Sequence, residues 1–166
     1  MLPAAQATGM IFMVLLGAEM LNTALAVSRL PANFADWIGT LEVVPIVVVI
    51  CFLLTFVVLT SVLDELAMML LLLPIVLPVI IDLDLYGLSA EHKAIWFGIL
   101  MLGVVQLGLV LPPIGLNVYV VSNIARTVPL AEIYRGIAPF LISDILRVLA
   151  LLFIPQFALA ALWLVR

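Results

Sequence analysis

Charge is what this sequence has least of. Six basic and ten acidic residues are spread over 166 positions, and 67% of the chain is apolar. A water-soluble domain devotes about a quarter of its residues to charge, so this composition excludes one and makes lipid the solvent. There is a single cysteine, Cys51, inside an apolar segment, which excludes an intrachain disulfide and reads as a small apolar side chain. There is a single histidine, His92, in the connector "AEHKA", with no zinc spacing around it; it reads as a solvated loop residue. The few basic residues form no stripe and are not interleaved with aromatics, which excludes nucleic acid as a partner. HExxH and GxSxG are absent, and neither Asp64 nor Asp144 stands in a Gly-x-Gly-Asp context, so the chain does not read as an enzyme. The opening "MLPAAQATGM" has no basic n-region and is not a signal peptide. The chain starts at the edge of an apolar segment, as a fragment or half of something larger would.

What is present is a series of apolar segments forming one membrane domain over 1–166. Residues 8–28 are long enough to span as a helix at about 1.5 Å per residue. Glu19 and Asn22 lie on one face of it, and polar groups at that depth should face protein. Residues 29–42, "RLPANFADWIGTLE", are mixed in character and carry Trp37, as an interfacial helix with an aromatic anchor would. From 43 to 81 the chain is apolar except for "LTSVLDEL" (59–66). That interruption contains no glycine or proline, and Thr60, Ser61 or Asp64 could cap a returning helix. The residues alone leave two readings equal: two crossings joined by a tight loop, or a re-entrant hairpin with its tip near 60–64. Pro74 and Pro78 should kink the returning helix.

Residues 95–124 are too long for one straight crossing of a layer about 30 Å thick, and "PPIG" interrupts them at 112–115. Pro112 and Pro113 both lack an N–H, and Pro113 turns Pro112 away from helical geometry. Gly115 reaches backbone angles that other residues avoid. Together they should unwind a full turn, and the motif alone leaves two readings equal: a discontinuous helix at a binding site, or a proline-kinked structural helix. In lipid the bared amides and carbonyls must meet protein, water or a ligand. Carbonyls suit a hard cation, and a helix N-terminus suits a carboxylate. Asn117, one turn beyond, is placed either to bond freed backbone or to touch a ligand. A connector at 125–136 follows, with Pro129 placed to start a short lateral helix. A last apolar segment covers 137–165, where Asp144 and Arg147 sit three apart as an intrahelical pair. Gln106 needs a helix–helix hydrogen bond, and Met68, Met69 and Met101 read as packing.

The succession "TSVLDELAMMLLLLPIVLP", "GILMLGVVQLGLVLPPIGLNVYV" and "VPLAEIYRGIAPFLISDILRVLALLFIP" resembles the C-terminal half of the large membrane subunit of TRAP (tripartite ATP-independent periplasmic) transporters. The likeness runs from about Ala7 to the end. It implies an all-α integral membrane fold: one inverted-repeat half with a re-entrant hairpin, a discontinuous transmembrane helix and lateral interfacial helices. It also implies an ion-coupled secondary importer of small organic anions such as dicarboxylates, with the hairpin entrance and C-terminus on the periplasmic face of a bacterial or archaeal inner membrane. The expected partners are a preceding transporter half, a small four-helix membrane subunit and a periplasmic substrate-binding protein. No cofactor is expected beyond sodium as the coupling ion. The site residues it implies are Thr60, Ser61, Asp64, Pro112, Pro113, Gly115 and Asn117, with sodium near Thr60, Ser61 and Gly115.

The chain departs from the family pattern where oxygen ligands matter. Thr60 stands where glycine is common at the tip. Leu111 replaces a threonine before the diproline, Val104 an asparagine, and Leu73 a threonine before the hairpin proline. A hard cation needs several oxygens, so the alternative is a degenerate scaffold subunit that no longer transports.

Overall fold

A computed structural model describes residues 2–41, 43–61, 63, 65–111, 115–125 and 127–165. Among these there are eight helices and no strand: α1 (Leu2–Ser28), α2 (Leu30–Thr40), α3 (Pro45–Thr60), α4 (Glu65–Asp82), α5 (Ala90–Gly108), α6 (Leu116–Ile124), α7 (Leu130–Phe153) and α8 (Pro155–Val165). Three stretches, Ala4–Ser28, Glu65–Asp82 and Leu130–Phe153, are long and apolar enough to cross a membrane. The chain is therefore an all-α, multi-pass membrane protein.

The centre of the molecule is α5. Trp96, Phe97, Leu100 and Met101 are fully enclosed, and Val104, Val105 and Leu107 nearly so. α5 packs against α3, α4, α7 and α8. α3 reaches it through Val49, Leu53, Phe56 and Thr60, spaced by four, three and four residues so that they share one face. α7 reaches it through Val148 and Leu152. Gly103 lets the two helices approach, because a β-carbon there would stand 3.1 Å from Val148 Cγ2.

Helix α2 lies against α4, with Ala35 and Ile38 buried beside Val79. Trp37 is on its exposed side and stacks on Phe34 at 5.9 Å. One apolar flank and one open flank are what a helix lying along a surface needs.

Polar side chains hold the C-terminal ends of α4 and α7. Lys93, 8% exposed, donates through Nζ to the carbonyls of Ile81 (2.8 Å) and Leu83 (2.5 Å). A cation at the C-terminus of α4 both satisfies orphan carbonyls and meets the negative end of the helix dipole. Trp96 Nε1 donates to the Leu151 carbonyl at 2.8 Å, and the Tyr86 hydroxyl donates to the Leu152 carbonyl at 3.1 Å. Burial raises the pKa of Tyr86, which keeps that phenol a donor. His92 helps begin α5: its amide donates to Ser89 Oγ, and that hydroxyl lies 2.9 Å from His92 Nδ1.

The C-terminal region is arranged differently from the sequence expectation. Pro129 is the residue before α7, and that helix runs from Leu130 to Phe153 with Pro139 inside it; no separate lateral helix stands before it among the described residues. Proline at a helix start has no N–H to lose, so nothing at Pro129 forces a second start at 137. The segment expected to be continuous over 137–165 is divided at Ile154, just before Pro155. Proline disfavours helical geometry in the residue before it.

Lys93→Met should lower the thermal unfolding midpoint of the purified protein in detergent. Two carbonyls would lose a charged donor, a loss of about 2 kcal/mol, and Lys93→Arg should lose less.

Candidate functional site

Two short non-helical segments carry the candidate residues. The first follows α3. Thr60, its last residue, is wholly buried and Ser61 is 4% exposed. Thr60 Oγ1 donates to the carbonyl of Phe56 (2.7 Å) or Val57 (3.1 Å), and Ser61 Oγ donates to that of Val58 (2.7 Å). Each hydroxyl gives its proton to its own helix and keeps oxygen lone pairs to offer. Helix α4 begins at Glu65, five positions beyond Thr60.

The second segment is the gap between α5 and α6. Helix α5 stops at Gly108, and helix resumes at Leu116 with Gly115 as N-cap in the left-handed region (φ 50°, ψ 68°). Part of the gap is repaired by backbone. Leu111 N–H donates to the Leu107 carbonyl at 2.9 Å, and Asn117 N–H reaches back across the gap to the Leu109 carbonyl at 3.3 Å. The Asn117 side chain itself is exposed.

The two segments meet at Gly108. A β-carbon there would run into Thr60 Oγ1 and stand 3.0 Å from the Val57 carbonyl. Glycine is required for contact, and the contact lies where α3 and α5 both end. Gly115 has a separate neighbour. A β-carbon on it would stand 2.8 Å from Tyr134 Oη and 3.1 Å from the Val110 carbonyl. Positive φ and a crowded α-carbon therefore both call for glycine. Tyr134 Oη is buried and has no hydrogen-bond partner among the described residues.

The structure thus brings Thr60 to the end of α5 and Gly115 to α7, and no described contact joins Thr60 or Ser61 to Gly115. Asp64, Pro112 and Pro113 lie outside the described residues. Gly108 and Tyr134 were not legible as site residues. Gly108 looks like one more small residue in "QLGLVL", and Tyr134 sits in a connector that seemed polar and peripheral. Their roles come from neighbours 48 and 19 positions away in sequence (108 − 60; 134 − 115).

Polar groups elsewhere are arranged otherwise. Among the described residues no three His, Cys, Asp or Glu side chains converge as a metal site would require. Glu19 is exposed on α1. Asn22 borders an apolar cleft of about 710 Å³ between α1 and α4, lined also by Met69, Leu73 and Pro74, and its Oδ1 is buried without a partner.

Comparison with known proteins identifies the lineage. The family model described as "Tripartite ATP-independent periplasmic transporter, DctM component" matches residues 1–157. The chain belongs to the DctM family. It is similar to uncharacterized protein y4mL of Sinorhizobium fredii (strain NBRC 101917 / NGR234), 30% identical over 156 residues, which are 94% of this chain and 35% of that protein. It thus spans about a third of that relative's length. No solved structure matches it. The family is thus one of transporter components.

Gly108→Ala should push the Thr60 tip off α5 and cost about 1–3 kcal/mol. Adding Thr60→Ala should recover part of that loss, so a double-mutant cycle on thermal midpoints should give a coupling well away from zero. Additive effects would mean that the two residues do not touch.

Proposed function

We propose that this chain is the second, hairpin-bearing half of an ion-coupled importer of small organic anions, such as dicarboxylates, in a bacterial or archaeal inner membrane. Substrate arrives from a periplasmic binding protein. A preceding half and a small four-helix membrane subunit complete the assembly, and sodium is the coupling ion.

One observation carries this reading: the buried Thr60 hydroxyl at the end of α3 is seated on the glycine that ends α5, beside a gap in helix. A loop in water would have no reason to bury Thr60 and Ser61. Length points the same way. With 16 residues, α3 is about 24 Å long at 1.5 Å per residue, short of a hydrocarbon layer of about 30 Å. The short α3 supports a re-entrant hairpin, while α4 by itself is long enough to cross. The gap between α5 and α6 then belongs to one discontinuous membrane helix, with its ends opposed at depth.

The chemistry follows from these ends. Hydroxyl oxygens of Thr60 and Ser61, with carbonyls at the end of α5, are hard donors for sodium. The N-terminus of α6, capped by Gly115, turns the positive end of its dipole toward the gap, which suits a carboxylate. Binding both lets the ion offset the charge of the anion, which couples their movement.

The scaffold alternative has its own support. Leu111 is partly buried beside the gap and offers no hydroxyl, so a cation there must rely on backbone oxygens and the tip. Reconstitution with the binding protein and the companion membrane parts decides between them. Uptake of a labelled dicarboxylate should require a sodium gradient, and Thr60→Val should weaken the sodium dependence. If no anion is taken up under a sodium gradient or a membrane voltage, the importer reading fails. Uptake that appears only with Leu111→Thr would identify a lapsed transporter.

A further inference from the structure

Asp144 and Arg147 are paired at 3.2 Å, and their side chains are 37% and 50% exposed. They lie on α7, a helix long and apolar enough to span. At 1.5 Å per residue, Asp144 is about 21 Å from one end of that helix and about 14 Å from the other. The same Arg147 nitrogen, Nη2, also donates across to Gln106 Oε1 on α5 at 3.4 Å. Nη1 and Nε have no partner among the described residues.

Lipid cannot hydrogen-bond, so charged groups at this depth normally face protein or water. An arginine near a helix end can escape by extending to the interface. Arg147 does the reverse: it turns toward Asp144, away from the nearer end of α7. The surrounding face has a definite outline. Phe140, Asp144 and Arg147 recur at i, i+4 and i+7 on α7, and Leu102 and Gln106 at i and i+4 on α5. Phe140 is 72% exposed and Leu102 61%. A second exposed stripe on α7, formed by Ile142, Leu146, Leu149 and Phe153, has no polar side chain at all. Lipid suits that stripe and does not suit the first.

We propose that the face formed by Leu102, Gln106, Phe140, Asp144 and Arg147 is an interaction surface, covered in the assembled transporter by a membrane-embedded segment of TRAP permease outside these 166 residues. That segment presents an acceptor oxygen, a carboxylate, amide or bared helix carbonyl, to the free edge of the Arg147 guanidinium. Its source is the family length that this chain does not cover, since the Sinorhizobium relative is nearly three times as long. Phe140 and Leu102 supply an apolar border that excludes lipid and water from the polar centre. The proposal rests on family membership and on the electrostatics of the patch, and it does not require that the protein transport anything.

The test is a photo-crosslink in native membranes carrying the complete transporter. p-Benzoylphenylalanine replaces Phe140 in one sample and Leu146, on the apolar stripe, in another. The Phe140 probe should give an adduct on a TRAP permease segment outside this chain, mapped within about one helical turn of an acceptor group. Leu146 should give lipid adducts. Arg147→Met should lower the Phe140 adduct about tenfold, the factor lost with 1.4 kcal/mol of interaction, while Arg147→Lys retains more. Phe140 adducts with lipid alone, or with a second copy of this chain alone, overturn the proposal. So does a yield that Arg147→Met leaves unchanged.

Discussion

The constraint on which this structure turns is that a hydrocarbon interior gives a bare peptide group nothing to bond to. A continuous helix meets it by default. This chain gives up that default between α5 and α6, so local detail around the gap consists of substitutes for missing helical bonds. Asn117 N–H reaches the Leu109 carbonyl, Leu111 N–H stays on the Leu107 carbonyl, and Val118 N–H returns to Gly115 at 2.8 Å. Gly115 adopts the left-handed conformation that restarts the helix. Backbone bonds thus tie the described residues on either side of the interruption to one another.

A second consequence is where the tip of the α3–α4 pair rests. Its hydroxyl-bearing end carries polar atoms that would be costly in lipid. Thr60 and Ser61 discharge their protons locally, and Thr60 settles against Gly108, where α5 ends. The two irregular segments thus shelter each other. Gly108 is what allows this, since any larger residue would hold the tip away from α5. The extensive burial of α5, from Trp96 to Gly108, gives both segments a rigid reference.

Much of this was legible beforehand because it follows from strong local signals. Long apolar runs bounded by connectors mark helices, and the glycine after the diproline marks the restart at Leu116. The rest depends on contacts distant in sequence. Lys93 looked like one charge in a solvated connector, yet it is enclosed and holds the end of α4. Tyr134 looked peripheral because "LAEIYRG" is polar, but α7 starts before it and carries its hydroxyl to Gly115. Pro155 divides the last apolar segment, an effect that hydropathy cannot register because both sides are equally greasy. Local chemistry predicted where helix would fail; only the packing reveals what the failed ends touch.

The substitutions away from family oxygens acquire a specific meaning in this frame. Hydroxyl and amide side chains can be replaced without moving the main chain, whereas carbonyl ligands exist only while the backbone holds its shape. With Leu111, Val104 and Leu73 in apolar form, the oxygens near the gap include, among the described residues, the Thr60 hydroxyl, the Tyr134 phenol and main-chain carbonyls. Two of these three classes are set by tertiary contacts, Thr60 against Gly108 and Tyr134 against Gly115. Any cation chemistry retained here is therefore tied to the seating of the tip and of α7 more closely than it would be with side-chain ligands in the gap.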